Sequence, residues 1–337
     1  SAGFQHDGAV LYDAVQAVGM DFCPRLGVSI PVGKDSMSMG MSWRSDRNEN
    51  EPEHETRTVT APVSPIVSGF APVANVSQTW TPTLRMLDDS CLLLVDLGHG
   101  RQRLGGSALA QVFREVGTEA PDVEEPEVLR AFFSAMNIMK QMHAGMPHSA
   151  PLVHAYHDRS DGGLLATVLE MSFAGRLGLD MDITGILHDT PMAALFNEEL
   201  GAVLQVRVKD VSAVTSVLTS MGVPSNIIHT VASVRGDEQI NIKCRGETLL
   251  SSTRAALQKA WADTSFRMQS LRDNPECAKQ ELAFIDEPAE TASLKYELTF
   301  HPAKTLQWSN PASIERPLAS QPRVAILREQ GVNGHIE

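Results

Sequence analysis

Long apolar runs are missing from this sequence. No stretch approaches the ~18 consecutive apolar residues of a membrane-spanning helix, and no charged–apolar–small leader opens it. Basic charge is also in short supply. With 28 Lys+Arg against 41 Asp+Glu, the formal net charge is −13. That argues against a nucleic-acid binder, whose footprint is a basic patch. An anionic substrate remains open, because local charge governs a site more than the total does. Cys23, Cys91, Cys244 and Cys277 are far apart and show no CxxC spacing. The expectation is reduced thiols of a cytosolic protein, with no zinc site. A complete G-x-x-x-x-G-K-[ST] phosphate loop is absent, as is a G-x-[SC]-x-G nucleophile elbow.

What the chain does have is enough apolar content, 42% of 337 residues, for two domains and a tail. Its first residues enter a helical pattern almost at once, so it reads as a piece of something longer. "GAVLYDAVQAVGMDFCPRLG" has helical spacing and ends at Pro24 and Gly27. "VSIPV" reads as a short strand, "WRSDRNENEPEHETRTV" as a polar loop between strands, and "SPIVSGFAPVANV" as β-like. A boundary falls near residue 85. "CLLLVDLG" then has the continuous apolar character of a buried strand, and strands and helices alternate to about residue 255. This indicates an α/β, or α+β layered, domain over 90–255. Residues 256–321 are turn-rich, with one stretch compatible with helix, and read as a linker. A new strand begins at "PRVAIL".

Two loops hold the candidate chemistry. "YHDRSDGGLL" places His157, Asp158, Ser160 and Asp161 ahead of Gly162, Gly163 and a helix. Glycines let backbone N–H groups approach an anion at a helix N-terminus, and a carboxylate just past a strand suits Mg²⁺ shared with phosphate. The alternative is a plain cap, with Asp161 or Ser160 starting the helix. "IPVGKDSMSMG" (Ile30–Gly40) places Gly33, Lys34, Asp35, Ser36 and Ser38 after an apolar run. It is either a phosphate-facing loop or a polar turn. The adjacent Glu198 and Glu199 could serve a metal, although glutamates at a helix end are more often exposed.

"GVSIPVGKDSMSM", "HDRSDGGLLATVLEMSFAG", "LFNEELGAVLQV", "MQSLRDNPECA" and "RVAILREQGVNGHIE" occur in this order. Together they resemble the large, single-chain phosphoribosylformylglycinamidine synthases. The resemblance implies a duplicated aminoimidazole-ribonucleotide-synthetase-like fold. Residues 1–85 would end the second N-terminal-type α/β domain, and 90–255 would form the second C-terminal-type domain. Residues 256–321 would be a linker, and 322–337 the truncated start of a class I glutaminase domain. None of the four cysteines occupies the glutaminase nucleophile position.

The activity implied is an ATP- and glutamine-dependent ligase that converts formylglycinamide ribonucleotide to its amidine in purine biosynthesis, in the cytoplasm. Its partners would be those substrates and the remaining synthetase and glutaminase domains of the same chain, with no nucleic acid and no membrane. This stretch alone would be inactive. The resemblance assigns ATP/ADP and Mg²⁺ as cofactors, Asp158 as a Mg²⁺ ligand, and Ser160, Gly162 and Gly163 to nucleotide binding. Gly33, Lys34, Asp35, Ser36 and Ser38 would form a phosphate or substrate loop, with Ser38 the favoured substrate contact. The family pattern's asparagine is missing there. A second reading has this half merely bracing the enzyme through a structural Mg-ADP.

Overall fold

The structure is a computed structural model, and it describes residues 7–34, 39–44, 56–73, 75–145, 150–288 and 297–300. Two compact units divide the chain, Ser1–Pro288 and Ala289–Glu337. The expected glutaminase strand at 322–337 lies outside the described residues, as do Asp35, Ser36 and Ser38.

The first unit opens with α1 (Asp7–Gln16), a π-helical turn (Ala17–Phe22) and α2 (Cys23–Leu26). Gly27 closes this run in the left-handed region at φ 76°, where a residue without Cβ is favoured. Strands β1 (Gly40–Arg44) and β2 (Thr56–Thr60) pair antiparallel as an exposed two-stranded sheet. Two sequence readings fail in this region. "VSIPV" and "SPIVSGFAPVANV" (64–76) belong to no ladder among the described residues. Apolar composition selects extended backbone, but only a neighbouring strand makes a β-strand of it. Ile66 and Phe70 are accordingly more than nine-tenths exposed.

The main body is a seven-stranded sheet of order β4-β6-β3-β7-β5-β8-β9. Its strands are β3 (Ser90–Val95), β4 (Ala155–Asp158), β5 (Gly178–Asp182), β6 (Ala202–Arg207), β7 (Ile228–Arg235), β8 (Gln239–Cys244) and β9 (Glu247–Thr253). Every pairing is antiparallel except β5 with β8. Helices cover both faces. They are α3 (Ala108–Val112), α4 (Pro126–Gly145), α5 (Gly163–Gly175), α6 (Pro191–Phe196), α7 (Val211–Ser220), α8 (Arg254–Arg272) and α9 (Pro275–Ala283).

β3 shows why its sequence is apolar throughout. Cys91, Leu93 and Val95 pack with Phe132 and Met136 of α4 and Val214 and Leu218 of α7. Leu92 and Leu94 point the other way, into a core with Leu164 and Met171 of α5 and Leu195 of α6. A strand buried on both faces has no polar side to show.

The stretch read as a linker from 256 carries α8 and α9 in its first part. Arg254, 1% exposed, anchors this pair: its guanidinium donates to Glu238 Oε2 at 2.6 and 3.0 Å and to the Ile285 carbonyl at 2.8 Å. Asn274 caps α9, accepting from the N–H groups of Glu276 and Cys277. Asn274→Ala should lower stability by about 1 kcal/mol, seen as a small drop in urea midpoint together with faster amide exchange at Glu276 and Cys277.

All four cysteines are unpaired thiols, with Cys277 exposed and the others buried. No helix among the described residues is long and apolar enough to cross a membrane.

Candidate functional site at one end of the sheet

Three strands bring the site together. Asp158 ends β4 and lies opposite Ala202, and Val95 of β3 lies opposite that same Ala202 from the other side. The residues just beyond these strand ends therefore meet at one edge: Asp96 after β3, Arg159 and Ser160 after β4, and Glu198, Glu199 and Gly201 ahead of β6.

Asp158 is exposed. Its Oδ1 accepts from the Tyr156 hydroxyl at 2.5 Å. Burial, and then the bond to Asp158, push the Tyr156 phenol well above its ordinary pKa, so it stays a donor. The Tyr156 ring in turn stacks on Trp80 at 6.1 Å and 23°. Asp158 is thus an oriented carboxylate that still faces solvent. Ser160 and Asp161 are also exposed, in the turn before α5. His157, on the same strand, bonds Glu170 of α5 at 2.8 Å, and the Trp261 indole of α8 donates to that glutamate at 3.1 Å.

The start of α5 departs from the expected cap. Its N-cap residue is Gly162, at φ 82°, with no side-chain cap bond, so neither Asp161 nor Ser160 caps it. Instead Glu198 Oε1 accepts from the Gly162 N–H at 2.8 Å and from the Ala108 N–H at 2.8 Å. An internal carboxylate thus holds the positive ends of two helices, α3 and α5. Gly163 is required by packing: a Cβ there would lie 2.6 Å from the Asn197 carbonyl oxygen, and φ is +69°.

Glu199 corrects the expectation of an exposed glutamate. It is 0% exposed and gripped by Arg103. Arg103 Nε donates to Oε1 at 2.6 Å, Nη2 to Oε2 at 2.8 Å, and the Arg103 N–H to Oε1 at 3.2 Å. This contact raises the Arg103 pKa further. Arg159 fills the centre: Nε donates to the Glu199 carbonyl at 2.6 Å, and Nη2 to Asp96 Oδ1 at 2.5 Å and the Leu200 carbonyl at 2.8 Å. Asp96 Oδ2 also accepts from the Gly100 N–H at 2.8 Å.

Asp96, Arg103 and Arg159 carry this network, and none was singled out from sequence. The signal was present in Asp96, which directly follows the buried strand β3, much as Asp158 closes β4. Among the described residues no group of three or more His, Cys, Asp or Glu side chains is placed to hold a metal. The predicted residues Asp158, Ser160, Gly162 and Gly163 are brought together. Gly33 and Lys34 sit in an exposed segment without regular structure elsewhere, and a Cβ at Gly33 would meet nothing within 4 Å.

Residues 1–72 match the family described as FGAR-AT PurM_N-like domain, and residues 89–240 match AIR synthase related protein, C-terminal domain. The phosphoribosylformylglycinamidine synthase of Schizosaccharomyces pombe is 43% identical over 336 residues, covering 98% of this chain and 24% of that protein. That of Saccharomyces cerevisiae is 43% identical over 342 residues, covering 100% of this chain and 24% of that protein. The chain therefore spans about a quarter of the length of the curated relatives it matches. A solved structure described as Thermotoga maritima PurL complexed with ATP aligns over 60% of this chain and 28% of its own at 12% identity. Its TM-score of 0.40 is too low for that likeness to bear on the fold or on ligands.

Proposed function

We propose, on the premise that this chain is a relative of the phosphoribosylformylglycinamidine synthases, that it supplies part of the synthetase region of such an enzyme. The whole protein would amidate formylglycinamide ribonucleotide in the cytoplasm. ATP donates a phosphoryl group to the amide oxygen, and ammonia from glutamine then displaces phosphate to leave the amidine. Within this chain, Asp158 and Ser160 are the groups offered to a magnesium nucleotide. The stretch alone is inactive, because the reaction draws on domains outside it. Ile66 and Phe70, apolar yet exposed, support further protein covering that surface.

The observation that carries the reading is Asp158: an exposed carboxylate at a strand end, oriented by Tyr156 and followed by a serine and a helix start. A single such carboxylate fits magnesium, which keeps several waters and shares its remaining positions with phosphate oxygens. When bound, the ion neutralises phosphate charge. The chain's own part is narrower than the loop's composition suggests. Glu198 already takes the Gly162 N–H, so the contacts that Asp158 and Ser160 offer are side-chain ones.

Mg²⁺-ADP should raise the melting temperature of the chain, and Asp158→Asn should abolish most of that rise. At ~100 times its dissociation constant a ligand stabilises by roughly 2.7 kcal/mol, which differential scanning calorimetry resolves. An undiminished rise in Asp158→Asn would remove Asp158 from the nucleotide site.

A further inference from the structure

A second cleft, of 470 Å³, lies at the other end of β4. Its walls are the segment 78–85, the C-terminal half of α4, the residues leading into β4, and the end of β6. Among the described residues, the charged and titratable groups lining it are Arg85, Lys140, His143, His154 and Arg207, with no carboxylate among them. In a chain of net charge −13 this is an unusual concentration of one sign.

Several residues that line the cleft carry buried polar atoms without a partner. Among the described residues five buried side-chain polar atoms lack a hydrogen-bond partner, and three are here: His143 Nδ1, His154 Nε2 and Arg207 Nε. Buried polar atoms are almost always paired, so three orphans on residues that line one cleft call for an explanation. The Arg207 Nε–H is a permanent cationic donor, and each imidazole nitrogen can donate once its ring holds a proton there.

The walls are also stiff. The Lys140 ammonium sits 4.7 Å over the Trp80 ring, and Tyr156 stacks on the same indole. The His154 backbone N–H is tied to the Gln205 carbonyl at 2.8 Å. The Gln205 amide bonds the backbone of Arg85 in both directions, at 2.7 and 2.9 Å. The cationic side chains thus hang from a braced frame. Burial, followed by the charges of Arg207 and Arg85, holds the His154 pKa down. Asp210 opposes that effect, and His143 adds to it. An anion arriving in the cleft would reverse the balance and favour the protonated ring.

We propose that this cleft binds the phosphate group of a small phosphomonoester, with Arg207, Lys140, His143 and His154 as its donors. Several donors converging from different elements suit a phosphate, which accepts on three oxygens, better than a planar carboxylate. The volume lies within the usual range for small-molecule sites. His154 and Asp158 are separated by four residues of strand, roughly 13 Å, so this site is distinct from the one at Asp158 and does not depend on it.

The test is calorimetric titration of the chain with ribose 5-phosphate and with inorganic phosphate, at ionic strength matched with chloride. Wild-type protein should bind ribose 5-phosphate more tightly than inorganic phosphate. Lys140→Gln and His154→Gln should each weaken that binding by about tenfold or more, while Asp158→Asn leaves it unchanged. Melting curves without ligand confirm that each variant is folded, and either variant alone is sufficient. With sulfate, whose charge is constant over the range, affinity should rise from pH 8 to pH 6 as binding favours the protonated His154 ring. Absence of binding, affinity unaltered in both cleft variants, or loss in Asp158→Asn would overturn the site. Inorganic phosphate binding as tightly as ribose 5-phosphate would overturn the phosphomonoester assignment.

Discussion

Arg159→Met will unfold at a markedly lower urea concentration than the parent chain, with a loss of about 3–5 kcal/mol and an unchanged m-value. The Arg159 and Asp96 side chains are 3% and 8% exposed. Methionine fills much of the same volume but donates nothing. The Asp96 carboxylate would keep the Gly100 N–H and lose its charged partner, while the carbonyls of Glu199 and Leu200 would lose their donors. An uncompensated buried charge is far more destabilising than the absence of the whole pair. The double variant Arg159→Met with Asp96→Leu should therefore be more stable than Arg159→Met alone, a non-additivity that a double-mutant cycle reads directly. A loss below about 1 kcal/mol in the single variant would mean that solvent reaches the pair.

Gly163→Ala is expected to be nearly as damaging, by about 3 kcal/mol, combining left-handed strain with a steric clash. Its Cβ would meet backbone atoms of the turn between α6 and β6: the Asn197 carbonyl oxygen and Phe196 C at 2.6 Å and the Leu195 carbonyl oxygen at 2.8 Å. Backbone in a packed turn cannot rotate away as a side chain can. Gly162→Ala should cost less, about 1–2 kcal/mol, because its Cβ would meet only the Ala166 methyl, at 2.7 Å. Both losses should be the same with and without Mg²⁺-ADP. If Gly163→Ala melts like the parent but no longer responds to nucleotide, the glycine serves a ligand rather than the fold.

Together these two variants show how one loop can be misread. In "HDRSDGG" the attractive residues were the carboxylates and glycines, because oxygen ligands and glycine-rich turns suit a nucleotide. Asp158 and Ser160 do face solvent. Arg159, between them, points inward to Asp96, 63 positions earlier in the chain. Gly163 is there because α5 starts against the α6–β6 turn. A local reading cannot weigh these two causes, since both produce the same string of residues.

The fold was more legible than the site. β3 as a buried strand, α4, α5, α6 and α7 as helices, and the strands at 228–235 and 239–244 all follow from apolar period and from Gly and Pro positions. "VSIPV" and "SPIVSGFAPVANV" were misread because extended composition says nothing about whether a partner strand is present. β9, with its mostly exposed pattern, has too little apolar alternation to stand out. Glu198 and Glu199 show the same limit at single residues. Their neighbours in sequence are unremarkable, and only Arg103 and the starts of α3 and α5 explain why one is fully buried and the other caps two helices.

The sequence by itself determined the layered α/β composition, the placement of Asp158 at a strand end ahead of a helix, and the resemblance to the phosphoribosylformylglycinamidine synthases. Each is carried by residues adjacent in the chain, where dihedral preference and side-chain period act. The antiparallel sheet, the Asp96–Arg159 and Arg103–Glu199 pairs, and the cationic cleft around Arg207 were decided only in three dimensions. The two ion pairs join residues 63 and 96 positions apart. Such pairings are selected by the desolvation of charge and by packing against the sheet, forces that act on neighbours in space and leave no period in the chain.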